Sequence, residues 1–206
     1  MKPRKPTTGP RKGLKLPEVL TADERQRLVR QPNLRAPTGL RNVCMIRLML
    51  DTGVRASEVL AIRIRDLDWT SGKLTVRQGK GRKDRVLWTT EDDLELAKRW
   101  REKRLELTLP DAGKELLFTT LAGGPLNDRY LRAMVERVAR KANITKHVHP
   151  HTLRHTFATD IYRETKNIRL VQKALGHADL STTMIYTHIV DDELEDALRT
   201  FRLGDE

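Results

Sequence analysis

Apolar residues along the chain fall mostly at helical spacing, with one stretch of two-residue alternation near the middle. The folded body is expected to open at Thr21, where Thr21-Ala-Asp-Glu24 has the form of a capping box. The threonine oxygen can take a backbone N–H three residues on while the glutamate reaches back. A second helix is predicted over about 40–50, closing before Thr52-Gly53, and a short one after Arg55. From Ile64 to Trp88 the pattern turns to strands. Leu74 and Val76 alternate before Gly79 and Gly81, and Val86 and Trp88 alternate after them, which predicts a hairpin with a basic tip. Helical periodicity returns over about 91–107 and 127–142. Beyond Pro150, helices are expected near 152–163, 168–175 and 182–186, with a last one over 191–201. The sum is a mainly α domain with one small antiparallel β-sheet, an α+β fold.

Composition sharpens this picture in two places. The 206 residues suit one ordinary domain, and aromatics, at 4%, leave its core to Leu, Ile, Val and Ala. Forty Lys and Arg against 28 Asp and Glu leave a net charge of +12, which favours a polyanionic partner without distinguishing DNA from RNA. Residues 1–16 carry Lys2, Arg4, Lys5, Arg11, Lys12 and Lys15 and no acid, which reads as a basic arm or interdomain linker. That arm is either a solubilising tail or a segment that lies along phosphate. The single cysteine, Cys44, lies in an apolar stretch and is expected to be a buried small hydrophobe. No apolar h-region follows the basic N-terminus, and Arg47 interrupts the best apolar run. The expectation is a cytoplasmic protein with no membrane span.

Four segments hold residues that could carry chemistry. Arg55 opens a helix in Thr52-Gly-Val-Arg-Ala-Ser-Glu58, where a guanidinium can grip an anion beside helix N-terminal N–H groups and Glu58 could steady it. For that segment alone, a surface ion pair is the plainer reading. The hairpin tip Gln78-Gly-Lys-Gly-Arg-Lys-Asp-Arg85 gathers four cations and two glycines, more repulsion than a solvated turn usually tolerates. In His149-Pro-His-Thr-Leu-Arg-His155, His151 and Arg154 share a helix face. His151 and His155 have the spacing of a zinc pair, but no third ligand accompanies them and Arg154 would oppose a metal, so no metal is expected. Finally, Gly176 looks like a helix terminator that presents His177, and Tyr186 follows nine residues on. Tyr130 and Tyr162 sit on ordinary helix faces and read as structural.

Taken in order, these segments resemble the tyrosine recombinases of the phage-integrase and Xer type, over about 16–201. The order is arginine in G-x-R-x-S-E, lysine in G-K-G, H-x-L-R-H, L-G-H and S-T-T-x-x-Y-T-H, and it is followed without a gap. The resemblance implies that family's catalytic-domain fold and a cut-and-rejoin reaction on double-stranded DNA through a 3′-phosphotyrosine. In it Arg55 and Arg154 would hold the scissile phosphate, and Lys80 would protonate the leaving 5′ oxygen. His151 would attend the tyrosine proton, His177 would be the second histidine, and Tyr186 the nucleophile. Arg77, Arg82, Lys83 and Arg85 would line the DNA. No cofactor is implied, and the working form would be a tetramer on DNA, with or without an accessory protein. The catalytic domain would span 17–206, with a connector helix near 191–201. Members of the family usually carry an N-terminal core-binding domain as well, and its lack here is a departure that would make the chain either a fragment or a one-domain recombinase. A type IB topoisomerase, a DNA-binding regulator with a decayed site and an RNA-binding protein are the rival readings.

Overall fold

The structure is a computed structural model that describes residues 17–77, 84–107, 115–177 and 179–187. Seven helices and one hairpin are placed among these residues. Leu20 is buried, and its N–H donates to Thr156 Oγ1 at 2.9 Å, so the start of the body is tied to a helix far along the chain. Helix α1 (Ala22–Arg30) then opens on the expected capping box, with Glu24 N–H on Thr21 Oγ1 and Thr21 N–H on Glu24 Oε2.

Helix α2 (Pro37–Thr52) is the axis of the domain. It starts earlier than the periodicity predicts because Pro37, in its first turn, suits a helix start where an N–H has no intrahelical partner. Residues are buried on nearly all its sides, as a central helix requires. It packs against α4 (Glu91–Leu107) and α6 (Pro150–Thr165), while α3 (Ala56–Ala61) meets α5 (Asp128–Lys141). Arg41, a buried arginine of this helix, donates to the Thr119 carbonyl at 2.7 Å and to the Tyr130 hydroxyl. Cys44 is buried there too, its thiol pushed up by burial and by Asp93, an inert small hydrophobe.

The hairpin pairs β1 (Lys73–Val76) with β2 (Arg85–Trp88) in antiparallel register, Leu74 opposite Leu87 and Val76 opposite Arg85. Two details depart from the sequence pattern. Residues 64–66 form a 3-10 turn, not strand. On β2 the buried residues are Arg85 and Leu87, so Val86 and Trp88 face outward and Trp88 is left 63% exposed. The register slipped by one because a buried carboxylate waits for Arg85, which outweighs the apolar preference of its neighbours.

Helix α7 (Ile168–Leu175) lies on α6 and β2. A second, smaller core of Phe157, Ala158, Val171, Leu175 and Tyr186 fills the space it covers. Instead of one helix over 182–186, a 3-10 turn (Leu180–Thr182) is followed by helical residues 185–187. No helix among the described residues is long and apolar enough to cross a membrane.

Candidate active site

Two helix ends build the floor of the site. Helix α2 stops at Gly53, in the left-handed region at φ 63°, and a Cβ there would come within 2.2 Å of the Phe157 ring. Only glycine allows both the turn and that approach. Helix α7 stops likewise at Gly176, φ 63°. The two terminal carbonyls, of Gly53 and Leu175, both accept hydrogen bonds from the guanidinium of Arg154, the latter at 2.8 Å. Carbonyls at helix C-termini have no intrahelical donors and carry the negative end of the helix dipole, so together they form a socket for a cation.

Arg154 is only 5% exposed, and no carboxylate among the described residues is hydrogen-bonded to it. Burial, with the nearby positive charges of Arg55 and Arg85, lowers its pKa to about 10, and it remains charged at neutral pH. Its third bond reaches His177 Nε2 at 3.0 Å. An arginine can only donate, so this nitrogen accepts, and the proton of the neutral ring sits on Nδ1, which donates to Thr183 Oγ1 at 3.0 Å. Burial and the charges of Arg154, Arg55 and Arg85 hold His177 near pKa 4.

Arg55 and Arg85 share one acid. Arg55 is the residue before α3; its N–H donates to Glu58 Oε2 at 2.7 Å and its Nη1 to Oε1 at 2.8 Å. Arg85 grips the same carboxylate with both terminal nitrogens, at 2.8 and 2.7 Å, and gives its Nε to the Ala174 carbonyl. Burial alone would raise the Glu58 carboxyl, but hydrogen bonds from Arg85 and the Arg55 backbone, with both guanidinium charges, hold it at about 2. Three guanidinia thus surround one carboxylate, leaving an excess of positive charge in the pocket.

Tyr186 is 1% exposed. Its hydroxyl lies 2.9 Å from Nδ1 of His155, and burial raises its pKa to about 12 against the pull of Arg154. His151, which the resemblance associates with the tyrosine proton, is exposed one turn earlier on α6, with its ring 6.0 Å from that of His149. The structure therefore brings together Arg55, Arg154, His177 and Tyr186. Among the residues expected on DNA, Arg77 is half exposed and donates to the buried Asp66 at 2.6 Å, while Arg85 is buried in the Glu58 pair. Lys80, Arg82 and Lys83, like the basic arm and the 191–201 helix, lie outside the described residues. Among those described, no group of three or more His, Cys, Asp or Glu could hold a metal ion.

Sequence reasoning passed over His155 as anything but a zinc partner, although it follows Arg154 directly. It also missed the carbonyls of Gly53 and Leu175 and the hydroxyl of Thr183. The two glycines signalled the helix ends, and nothing in a sequence reports where their carbonyls point.

The chain belongs to the Phage integrase family, whose profile matches residues 18–193. It is 36% identical over 190 residues to the tyrosine recombinase XerC of Oceanobacillus iheyensis, covering 91% of this chain and 62% of that protein. Among solved structures, that of XerA recombinase superposes with a TM-score of 0.78 at 33% identity, over 92% of this chain and 66% of that one. A post-cleavage complex of the XerH site-specific recombinase with its palindromic difH substrate superposes at 0.79 and 34% identity, over 91% and 54%. This chain spans less than two thirds of the length of each of these relatives, and the fold they share with it is the mainly α domain described above.

Proposed function

We propose that this chain is a site-specific DNA recombinase or integrase that cuts and rejoins double-stranded DNA through a 3′-phosphotyrosine at Tyr186. The observation that carries this reading is the buried guanidinium of Arg154, held by two helix-end carbonyls, bonded to no carboxylate among the described residues and close enough to Tyr186 for its charge to offset part of the rise that burial imposes on the phenol. A phosphodiester passing to a pentacoordinate state gains charge on its equatorial oxygens, and preorganised guanidinia from Arg154 and Arg55 would meet that charge. Entry of the phosphate would draw Arg55 from Glu58, which keeps its stronger partner in Arg85. His177, neutral and fixed by Thr183, would keep its unprotonated Nε2 on Arg154 and so help hold that guanidinium in the pocket. Lys80 would protonate the 5′ oxygen as it leaves. The phosphotyrosine conserves the bond, so rejoining needs neither ATP nor a metal.

Assembly into a tetramer across two DNA sites, coupled by the 191–201 helix, belongs to the same reading, as does a place in the cytoplasm. The test is incubation with a nicked suicide substrate and denaturing gel analysis. The wild type should leave a protein–DNA adduct, and Tyr186→Phe none while binding DNA nearly as well. An adduct in the Phe variant would remove Tyr186 from the role of nucleophile.

A further inference from the structure

The Tyr186 hydroxyl has a single hydrogen bond among the described residues, and it goes to a ring that the nucleophile, phosphate-gripping and leaving-group roles do not use. We propose that His155 is the positioning residue of the nucleophile: its Nδ1 accepts the Tyr186 hydroxyl proton in a hydrogen bond and fixes the direction in which the phenol oxygen presents its lone pairs. The inference rests on the proposed recombinase reading for its consequence, though not for its geometry.

Three observations point to it. First, the direction of the hydrogen bond follows from satisfaction. A phenol 1% exposed must place its one hydrogen on an acceptor, and among the described residues the only one offered is Nδ1 of His155 at 2.9 Å. Were Nδ1 protonated, the tyrosine hydrogen would be buried without an acceptor. Second, the surroundings keep that lone pair free. Burial, then His151, Arg154 and His149, all lower the pKa of His155, to about 4, so the ring is neutral at physiological pH. Third, His155 adjoins Arg154 on α6. The residue that would grip the phosphate and the one that grips the nucleophile are therefore set one helical step apart, about 1.5 Å in rise and 100° in rotation, on one rigid element. Packing of the Tyr186 ring against Phe157, Ala158, Val171 and Leu175 places the ring, and His155 decides where its oxygen points. Misplacement of an attacking atom by about 1 Å can cost on the order of 10²-fold in rate, which is the size of effect such a contact controls.

The test has one arm without DNA and one with it. In the free protein, nitrogen NMR of the histidine rings should find Nδ1 of His155 unprotonated and Nε2 protonated, with the Nδ1 resonance moving in Tyr186→Phe. A protonated Nδ1, or a resonance indifferent to loss of the hydroxyl, overturns the proposal whatever the protein does to DNA. In the second arm, adduct formation at saturating suicide substrate should fall on the order of 10²-fold in His155→Leu with DNA affinity unchanged. His155→Asn, whose amide oxygen can stand near the Nδ1 position, should recover to within about tenfold of wild type. Adduct formation in His155→Leu at or above the wild-type rate overturns the proposal and leaves the recombinase reading intact. No adduct from any variant, wild type included, overturns the recombinase reading, and the ring nitrogens then decide the hydrogen bond alone. Should His155→Leu not fold, the Asn variant decides: a drop as deep as 10²-fold with correct folding shows that an acceptor at this place is not enough.

Discussion

Arg85 and Arg154 are buried to nearly the same degree, 8% and 5% exposed, and are treated in opposite ways. Arg85 is neutralised by a two-pronged bond to Glu58 and sealed by the Ala174 carbonyl. Among the described residues, Arg154 receives only carbonyls and a neutral imidazole. Carbonyl dipoles solvate a cation but leave its charge in place, so the two corners differ in what they can still attract. The Arg85 corner is a finished ion pair that ties β2 to α3 and α7. The Arg154 corner bears the cost of burying a charge and keeps that charge available to an anion. Uncompensated burial of this kind is expected where function, not stability, selects the residue.

The comparison breaks most visibly if the two arginines are replaced by methionine, which keeps much of the volume and removes the charge. Arg85→Met should lower the free energy of unfolding by about 3–5 kcal/mol, the cost of leaving one member of a buried pair. The double variant Arg85→Met with Glu58→Leu should lose clearly less than the sum of the two single changes. Additive losses in denaturant titrations would mean the pair is not a unit. Arg154→Met should cost less stability than Arg85→Met, because it orphans two carbonyls and no charge. It should nonetheless slow adduct formation by on the order of 10²- to 10³-fold, like loss of an oxyanion donor. Arg154→Lys should recover only part of that rate, since a point charge cannot reproduce the planar fork. Wild-type cleavage in either Arg154 variant would remove it from the phosphate site.

Acid should open the two corners in sequence. His177 has a folded pKa of about 4, below its ordinary 6.5, so the unfolded chain binds more protons between those values. Its contribution to stability is complete above 6.5 and is lost as pH falls through 6.5 towards 4. Glu58 is lowered from 4.5 to about 2, and its contribution is lost only between those values. Asp51, raised by burial and by Asp93, acts with the opposite sign, so the total pH profile is not a clean readout. The difference between wild type and His177→Gln is clean. Wild type should lose stability relative to the variant between pH 6.5 and 4, and a constant difference would show that the ring is not held neutral.

Much of this was legible beforehand, for physical reasons that can be named. The capping box at Thr21 and the glycine stops at 53 and 176 are local chemistry, and each holds as the sequence predicts. The segments bearing Arg55, Arg154, His177 and Tyr186 were found from their order along the chain. What stayed hidden depends on long-range partners. The inward turn of Arg85 is decided by Glu58, 27 residues away, and it reversed the faces of β2 against the apolar pattern. The meeting of His155 with Tyr186 spans 31 residues and needs α6 and the 185–187 turn to be packed together first.

The smallest effect separates Arg77 from Arg85, two cations of the same hairpin that the family resemblance assigns to DNA. Arg77 follows β1 directly and is 52% exposed in its side chain, and one of its five N–H donors is given to Asp66. Asp66 compensates part of its charge, but most of the fork remains outside. Arg85 has no such freedom, because Glu58 and Ala174 take all three of its nitrogens. If the hairpin lies along a duplex, Arg77 neutralises about one phosphate, and its removal should reduce the slope of log affinity against log salt by about 0.9. Arg77→Ala is therefore expected to weaken binding modestly and alike on specific and unrelated DNA, since a phosphate contact carries no sequence information. Arg85→Met, assayed at a temperature where it is folded, should leave the slope unchanged. Fluorescence anisotropy over a salt series measures both. A slope that flattens for Arg85→Met and not for Arg77→Ala would mean that the Glu58 pair opens on DNA. The corner described above as finished would then be a second reserve of positive charge.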